Sequence, residues 1–224
     1  MKTKLLFLFV VLGSLCTYAQ GFYEDFSYNS YNWNTISTTQ EFKVSGGEMI
    51  VFQAREKVGY SAGVTAHRNA IDHSKNFKIT SNMRLTNGAT GNGLAWHIED
   101  ARNHYKFLIT DRDGQYAIYH VTNGKATAIK KWGGAPSIHK KFSWNELSVE
   151  KRGSRTYFYI NGEEVYNTYL SYNSYPKQVG LFLGQGSTIN RMVVGDFRLE
   201  TQSSKNGESG RRSDGDKAPG RGKN

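Results

Sequence analysis

Tyr105-Lys106-Phe107-Leu108-Ile109-Thr110-Asp111-Arg112-Asp113-Gly114-Gln115-Tyr116-Ala117-Ile118-Tyr119-His120-Val121 alternates, breaks and alternates again. Tyr105, Phe107 and Ile109 recur at period two, with Lys106, Leu108 and Thr110 between them. Successive side chains of a strand point to opposite faces, so this pattern reads as a strand with one face buried. Asp111 to Gly114 carries hairpin chemistry, with glycine supplying a positive φ. Two antiparallel strands therefore meet at this turn. Their register has two solutions. A type I turn with Gly114 as a bulge pairs Asp111 with Gln115, sets Lys106 opposite His120 and puts Tyr116 on the Lys106 face. A four-residue loop shifts the pairing by one and brings Tyr119 beside Lys106.

The same pattern extends in both directions. Phe77, Ile79, Ser81, Met83 and Leu85 alternate with polar residues, as do Leu94, Trp96 and Ile98. Further strands read at 48–53, 144–151, 155–160, 178–183 and 192–200. Thr122-Asn123-Gly124, Arg152-Gly153-Ser154 and Asn161-Gly162 are turn signals between them. No long apolar period of 3.6 residues follows the first twenty residues. Many short strands closed by such turns predict an all-β, two-sheet antiparallel sandwich.

The segment 1–19 reads as a signal peptide. Lys2 and Lys4 precede an apolar run from Leu5 to Leu15, and Thr17-Tyr18-Ala19 offers small residues for cleavage. The run is too short to cross a bilayer, which takes about 20 apolar residues. Leu15 before Cys16 departs from a lipoprotein signal, which wants a small residue there. Cys16 is the single cysteine, so the processed chain would have none. Thiol catalysis, disulfides and zinc–thiolate sites are then excluded. Residues 20–200 form the domain. Residues 201–224 lose their apolar residues and read as a disordered basic tail rich in Gly and Ser. The chain is expected outside the cytoplasm: secreted, periplasmic or at the cell surface.

The succession Phe22-Tyr23-Glu24-Asp25-Phe26, Trp33, Gly46-Gly47-Glu48-Met49-Ile50, Gly91-Asn92-Gly93-Leu94-Ala95-Trp96, Asp113-Gly114-Gln115-Tyr116, Trp144-Asn145-Glu146-Leu147, Phe158-Tyr159-Ile160-Asn161-Gly162, Val179-Gly180-Leu181-Phe182 and Gly195-Asp196-Phe197 resembles the concanavalin A-like (laminin G-like) domains of secreted bacterial proteins. It also resembles the related domain of 3-keto-disaccharide hydrolases. The resemblance covers about residues 21–200 and implies the fold; fold does not settle function.

Three functions stay open on that resemblance: a non-catalytic, lectin-like carbohydrate-binding module, a glycoside-active enzyme of the 3-keto-disaccharide hydrolase or laminarinase type, and an envelope protein-interaction module. Family 16 glycoside hydrolases of this fold place Glu-x-Asp-x-Glu on one strand. Here Glu146-Leu147-Ser148-Val149-Glu150 has serine in the middle, so no catalytic residue is assigned. Asp111-Arg112-Asp113-Gly114 has half of a calcium loop and lacks its later ligands. His67, His73, His97, His104, His120 and His139 form no close metal pair. No cofactor or metal is assigned. No nucleic-acid motif and no membrane span is found.

The expected partner is a glycan or polysaccharide, with another envelope protein as the alternative. On the first register, Arg84, His97, Lys106, Tyr116 and His120 share a concave sheet face, and that cationic, aromatic set suits an acidic glycan. Tyr28, Tyr31, Tyr172 and Tyr175 are a second candidate, an aromatic platform of two loops. The formal charge of +10 favours a polyanionic partner as well. Deleting the chain from Gln202 onward is expected to leave the melting temperature unchanged; a drop of several degrees would contradict the reading of the tail.

Overall fold

The computed structural model describes residues 18–28, 33–36, 40–53, 63–86, 91–110, 112–184 and 191–202. These residues form two antiparallel sheets and no helix. One sheet runs in the order β13 (Glu163–Tyr169), β12 (Arg155–Ile160), β11 (Trp144–Arg152), β6 (Phe77–Leu85), β15 (Arg191–Gln202), β4 (Glu48–Gln53) and β3 (Gln40–Ser45). An eighth strand, β1 (Tyr18–Glu24), pairs with the far end of β15, where Gln20 lies opposite Thr201. The other sheet has seven strands: β10 (Lys125–Gly134), β9 (Gln115–Thr122), β8 (Asn103–Thr110), β7 (Asn92–Asp100), β14 (Lys177–Leu183), β5 (Gly63–Ile71) and β2 (Trp33–Thr35).

Alternation builds the core. Phe77, Ile79, Met83 and Leu85 of β6 face Leu94 and Trp96 of β7 and Phe107 and Ile109 of β8, all buried between the sheets. Phe158 joins them from β12, its ring centroid 5.4 Å from Phe107 and 5.7 Å from Trp96. Phe and Trp bury more apolar surface than any other side chains, so this aromatic seam supplies much of the stabilisation of a sandwich without disulfides.

The β8–β9 turn takes the four-residue solution. Thr110 pairs with Gln115, Lys106 with Tyr119 and Tyr105 with His120. The Gly114 amide donates to the Thr110 carbonyl at 3.0 Å. Asp111 lies outside the described residues. The bulged register, and with it the placement of Tyr116 beside Lys106, is therefore corrected. A one-residue slip exchanges the faces of a whole strand. Tyr116 and Ile118 enter the core, and Ala117 and Tyr119 turn outward. The buried Tyr116 ring packs edge-on to Phe107, and its hydroxyl donates to the Val165 carbonyl at 2.7 Å.

The expected strands at 48–53, 77–85, 155–160 and 178–183 are present, the last a residue longer. β15 also takes in Thr201 and Gln202, the first residues of the expected tail, and β1 takes in Tyr18 and Ala19, the last of the expected signal peptide. The rest of both segments, residues 1–17 and 203–224, lies outside the described residues.

The Asn161-Gly162 turn forms as expected, with φ of 51° and 81°. Asn161 also ties down its surroundings. Its Oδ1 accepts from the Glu146 amide at 2.8 Å, and its Nδ2 donates to the Ser137 carbonyl and to Asn145 Oδ1. Alanine would keep the left-handed backbone without these bonds. Asn161→Ala is expected to cost about 2–4 kcal/mol, from a strained φ and several lost hydrogen bonds. Denaturant unfolding measures this, and a loss of under about 0.5 kcal/mol would contradict it.

Candidate functional site

The five expected site residues do not share a face. Arg84 lies on β6, in the eight-stranded sheet, where its guanidinium sits 5.0 Å over the Trp144 ring and 3.9 Å from Glu48. Lys106 lies on the outer face of the other sheet, and Tyr116 lies in the core. The reason is topological: β6 and β7 are consecutive in the chain but belong to different sheets. His97 and His120 do come together. They line a cleft of about 280 Å³ at one end of the seven-stranded sheet, with Glu99, Asn103, His104, Tyr105, Thr122, Ser171 and Asn173 among its walls.

His97 sits in a bulge. β7 pairs regularly with β8 as far as Trp96 opposite Tyr105, then resumes only at Asp100 opposite Asn103. His97 takes φ of 50°, a left-handed conformation uncommon outside glycine. Its backbone amide donates to His73 Nε2 at 3.2 Å. That acceptor role fixes the proton of neutral His73 on Nδ1, which donates to the Ile71 carbonyl at 3.1 Å. The buried ring of His73 thus holds the strained backbone of His97, and strain of this kind concentrates at functional sites. Nδ1 of His97 is buried and has no hydrogen-bond partner among the described residues.

His120 lies flat on Tyr105, with centroids 4.1 Å apart and planes within 5°. The four-residue turn makes this stack by pairing the two residues directly. The loop after β13 closes the cleft. Its Tyr172 points inward, accepts the Trp96 indole proton at 3.0 Å and lies 3.2 Å from the Thr156 hydroxyl. This seats Ser171 and Asn173 on the rim. Tyr172 therefore serves as an anchor and not as a platform, while Tyr28 and Tyr175 are exposed. Tyr31 lies outside the described residues.

The imidazoles here are held neutral. Burial, reinforced by the Lys177 charge and then by the nearby His120 ring, pushes His97 down to about 4. Burial and then His97 push His73 down to about 3. Burial and then Lys106 take His104 to about 4, and burial lowers His120 as well. Neutral imidazoles both donate and accept, as do the rim amides and hydroxyls, and a sugar hydroxyl asks for both. The carboxylate of Glu99 is partnered by Lys177 at 3.2 Å. Among the described residues no three His, Cys, Asp or Glu side chains group to hold a metal ion. The sequence identified His97 and His120 but not His104 or Tyr105, because the alternation assigned Tyr105 to the core.

No protein-family model matches the chain, and no curated protein matches its sequence significantly. Solved structures do match. The carbohydrate binding module CBM66 from Bacillus subtilis superposes with a TM-score of 0.60 at 18% identity, over 77% of this chain and 98% of that one. The fold is the concanavalin A-like jelly roll. A Bacillus licheniformis beta-glucanase gives 0.61 at 13% identity, over 84% and 100%. A beta-1,3-1,4-glucanase (lichenase) from a mouse hindgut metagenome gives 0.59 at 10%, over 83% and 100%. The expected sandwich architecture is thereby borne out.

The neutral histidines give this jelly roll an acid limit. In the unfolded chain they bind protons near pH 6.5; in the fold His67, His73, His97 and His104 do so only near 3 to 4. Between those limits the unfolded state holds more protons, so stability rises with pH. It is complete above about pH 7 and falls as the pH drops below about 6. Thermal melts across this range check it; a melting temperature flat down to about pH 4 would contradict it.

Proposed function

We propose that this chain is a secreted, non-catalytic module that binds a glycan in the histidine cleft. The observation that carries the reading is the cleft itself. Its strained, buried wall presents neutral His97 and His120, the latter stacked on Tyr105, beneath a rim of Asn103, Thr122, Ser171 and Asn173. Paired donor–acceptor groups beside a rigid aromatic stack suit the hydroxyls and C–H faces of a sugar. Groups held on strands lose little entropy on binding. A carbohydrate binding module shares the fold, which supports the reading without assigning a ligand. The signal-like leader fits a role outside the cell, where polysaccharides or an envelope protein would be met.

Binding is preferred to hydrolysis on the residues of β11. Glu146, Ser148 and Glu150 point to the outer side of the eight-stranded sheet. Ser148 holds the Thr80 hydroxyl at 2.9 Å, and Arg152 lies 3.1 Å from Glu150. The central carboxylate of the glucanase motif has no counterpart there.

A glycan array followed by calorimetry tests the proposal. His97→Ala and His120→Ala are each expected to weaken the best glycan by about tenfold or more, the loss of one or two hydrogen bonds to a sugar. Neither should abolish folding. Unchanged affinity in both would remove the site from the cleft. Reducing-sugar release by the wild type that disappears in Glu146→Gln would replace binding by catalysis. Capture of an envelope protein with no glycan bound would replace it by protein interaction.

A further inference from the structure

The outer face of the seven-stranded sheet holds a cation without an anion. Lys106 projects from β8 between two rings: its Nζ lies 3.9 Å from the Phe182 centroid and 5.6 Å from that of Tyr119. Strand pairing explains the setting. Lys106 lies opposite Tyr119 on one side and Ala95 on the other, and Ala95 lies opposite Gly180. Small residues on β7 and β14 leave room for the long side chain to lie along the sheet. Phe182, Leu108 and Ala95 are buried around it. Trp132 of β10 extends the aromatic wall beyond Tyr119, with ring centroids 6.5 Å apart. The Trp132 indole is about a third exposed and closes over Gly91, where a Cβ would come within 2.6 Å of Cη2.

The other cations in contact with aromatic rings are served differently. Arg84 has Glu48, Arg152 has Glu150 and Arg198 has Asp196, while Arg155 donates to Asn167 and Tyr169, and Lys130, over the Tyr116 ring, donates to the Lys131 carbonyl. Lys106 has no carboxylate within ion-pair distance among the described residues. An ammonium withdrawn from water is costly unless it is paired. Two ring faces return only part of that cost.

We infer that Lys106 is the counter-ion for an anionic substituent of a sugar, a carboxylate or a sulfate, whose ring packs against Tyr119 and Trp132. The inference takes the sugar from the glycan reading, but the site is separate from the histidine cleft and does not depend on it. Tyr119 and Trp132, their ring planes 62° apart, supply an angled apolar corner against which a pyranose C–H face packs. Phe182 and Leu108 exclude water from the ammonium, which strengthens an ion pair formed there. The charge state agrees: burial pushes Lys106 down to about 8, as a cation kept without its anion should be. A bound anion would restore it toward the ordinary lysine range.

The test follows the side-chain Nζ and Cε resonances of Lys106 by nuclear magnetic resonance, in the full chain, during titration with glucuronate, glucose and inorganic sulfate. Glucuronate should shift these resonances saturably and raise the lysine's titration midpoint; glucose should do neither. Lys106→Met keeps the stem and removes the charge, so it should fold at least as stably. It should lose glucuronate affinity by about tenfold or more, the fold-change of one charge-assisted hydrogen bond. Trp132→Ala, on an exposed edge strand, should weaken glucuronate but not sulfate. Resonances unmoved by glucuronate, or equal binding by Lys106→Met, would overturn the inference. A response to sulfate alone would overturn the sugar and leave a plain anion site. The cleft variants His97→Ala and His120→Ala should leave these titrations unchanged, so this site and the cleft can fail separately.

Discussion

A buried indole N–H is costly without an acceptor, and the acceptor found by Trp96 shapes one end of this sandwich. Trp96 has no exposed surface and lies among Phe158, Tyr105 and the rest of the inter-sheet core. Its proton goes to Tyr172, which belongs to an irregular loop and would otherwise have no reason to turn inward. Once inside, the Tyr172 ring meets His73, Phe77, His97 and Tyr105. The same contact therefore ties the core, the strained bulge and the rim of the cleft into one packed unit. Such a unit has few ways to relax, because an unpaired polar group in a dry interior costs about as much as the bond it loses.

The fold was legible because alternation repeats on many strands, and it blurred where alternation has no cause. β10 and β13 are edge strands, largely exposed, and only a few of their residues, Ile129 and Tyr166 among them, pack on the core. Without a buried face a strand has no need of period two. β9 poses the opposite problem. Tyr116, Ile118 and His120 on one side and Ala117, Tyr119 and Val121 on the other are both apolar enough to be buried. Composition could not choose the register there; turn length did, through the Gly114–Thr110 hydrogen bond.

The site was legible in part for the same reasons. His97 and His120 line one cleft, although they meet at a sheet end and not across the expected face. Lys106 points outward, without His120 beside it. Arg84 was misplaced because sequence order does not tell which sheet a strand enters. The two outer faces also differ in kind. On the eight-stranded sheet, Arg152 lies over Tyr157, Arg155 over Tyr169 and Arg198 over Tyr23, each also held by a neighbouring polar group. Lys106 on the other sheet has no such ion-pair partner among the described residues.

The ladder between β1 and β15 has one more consequence. Gln20 and Thr201 lie opposite each other, so the first strand begins and the last strand ends side by side at one end of the eight-stranded sheet. Whatever adjoins the domain on either side approaches from the same direction. A short peptide joining the two strands, with new ends opened at the Asn123-Gly124 turn, would rewire the chain without moving a strand. A domain attached in this way can be spliced into a loop of a host protein as readily as hung from its end. The orientation of the domain would then be set by that one end, whichever side carried the tether.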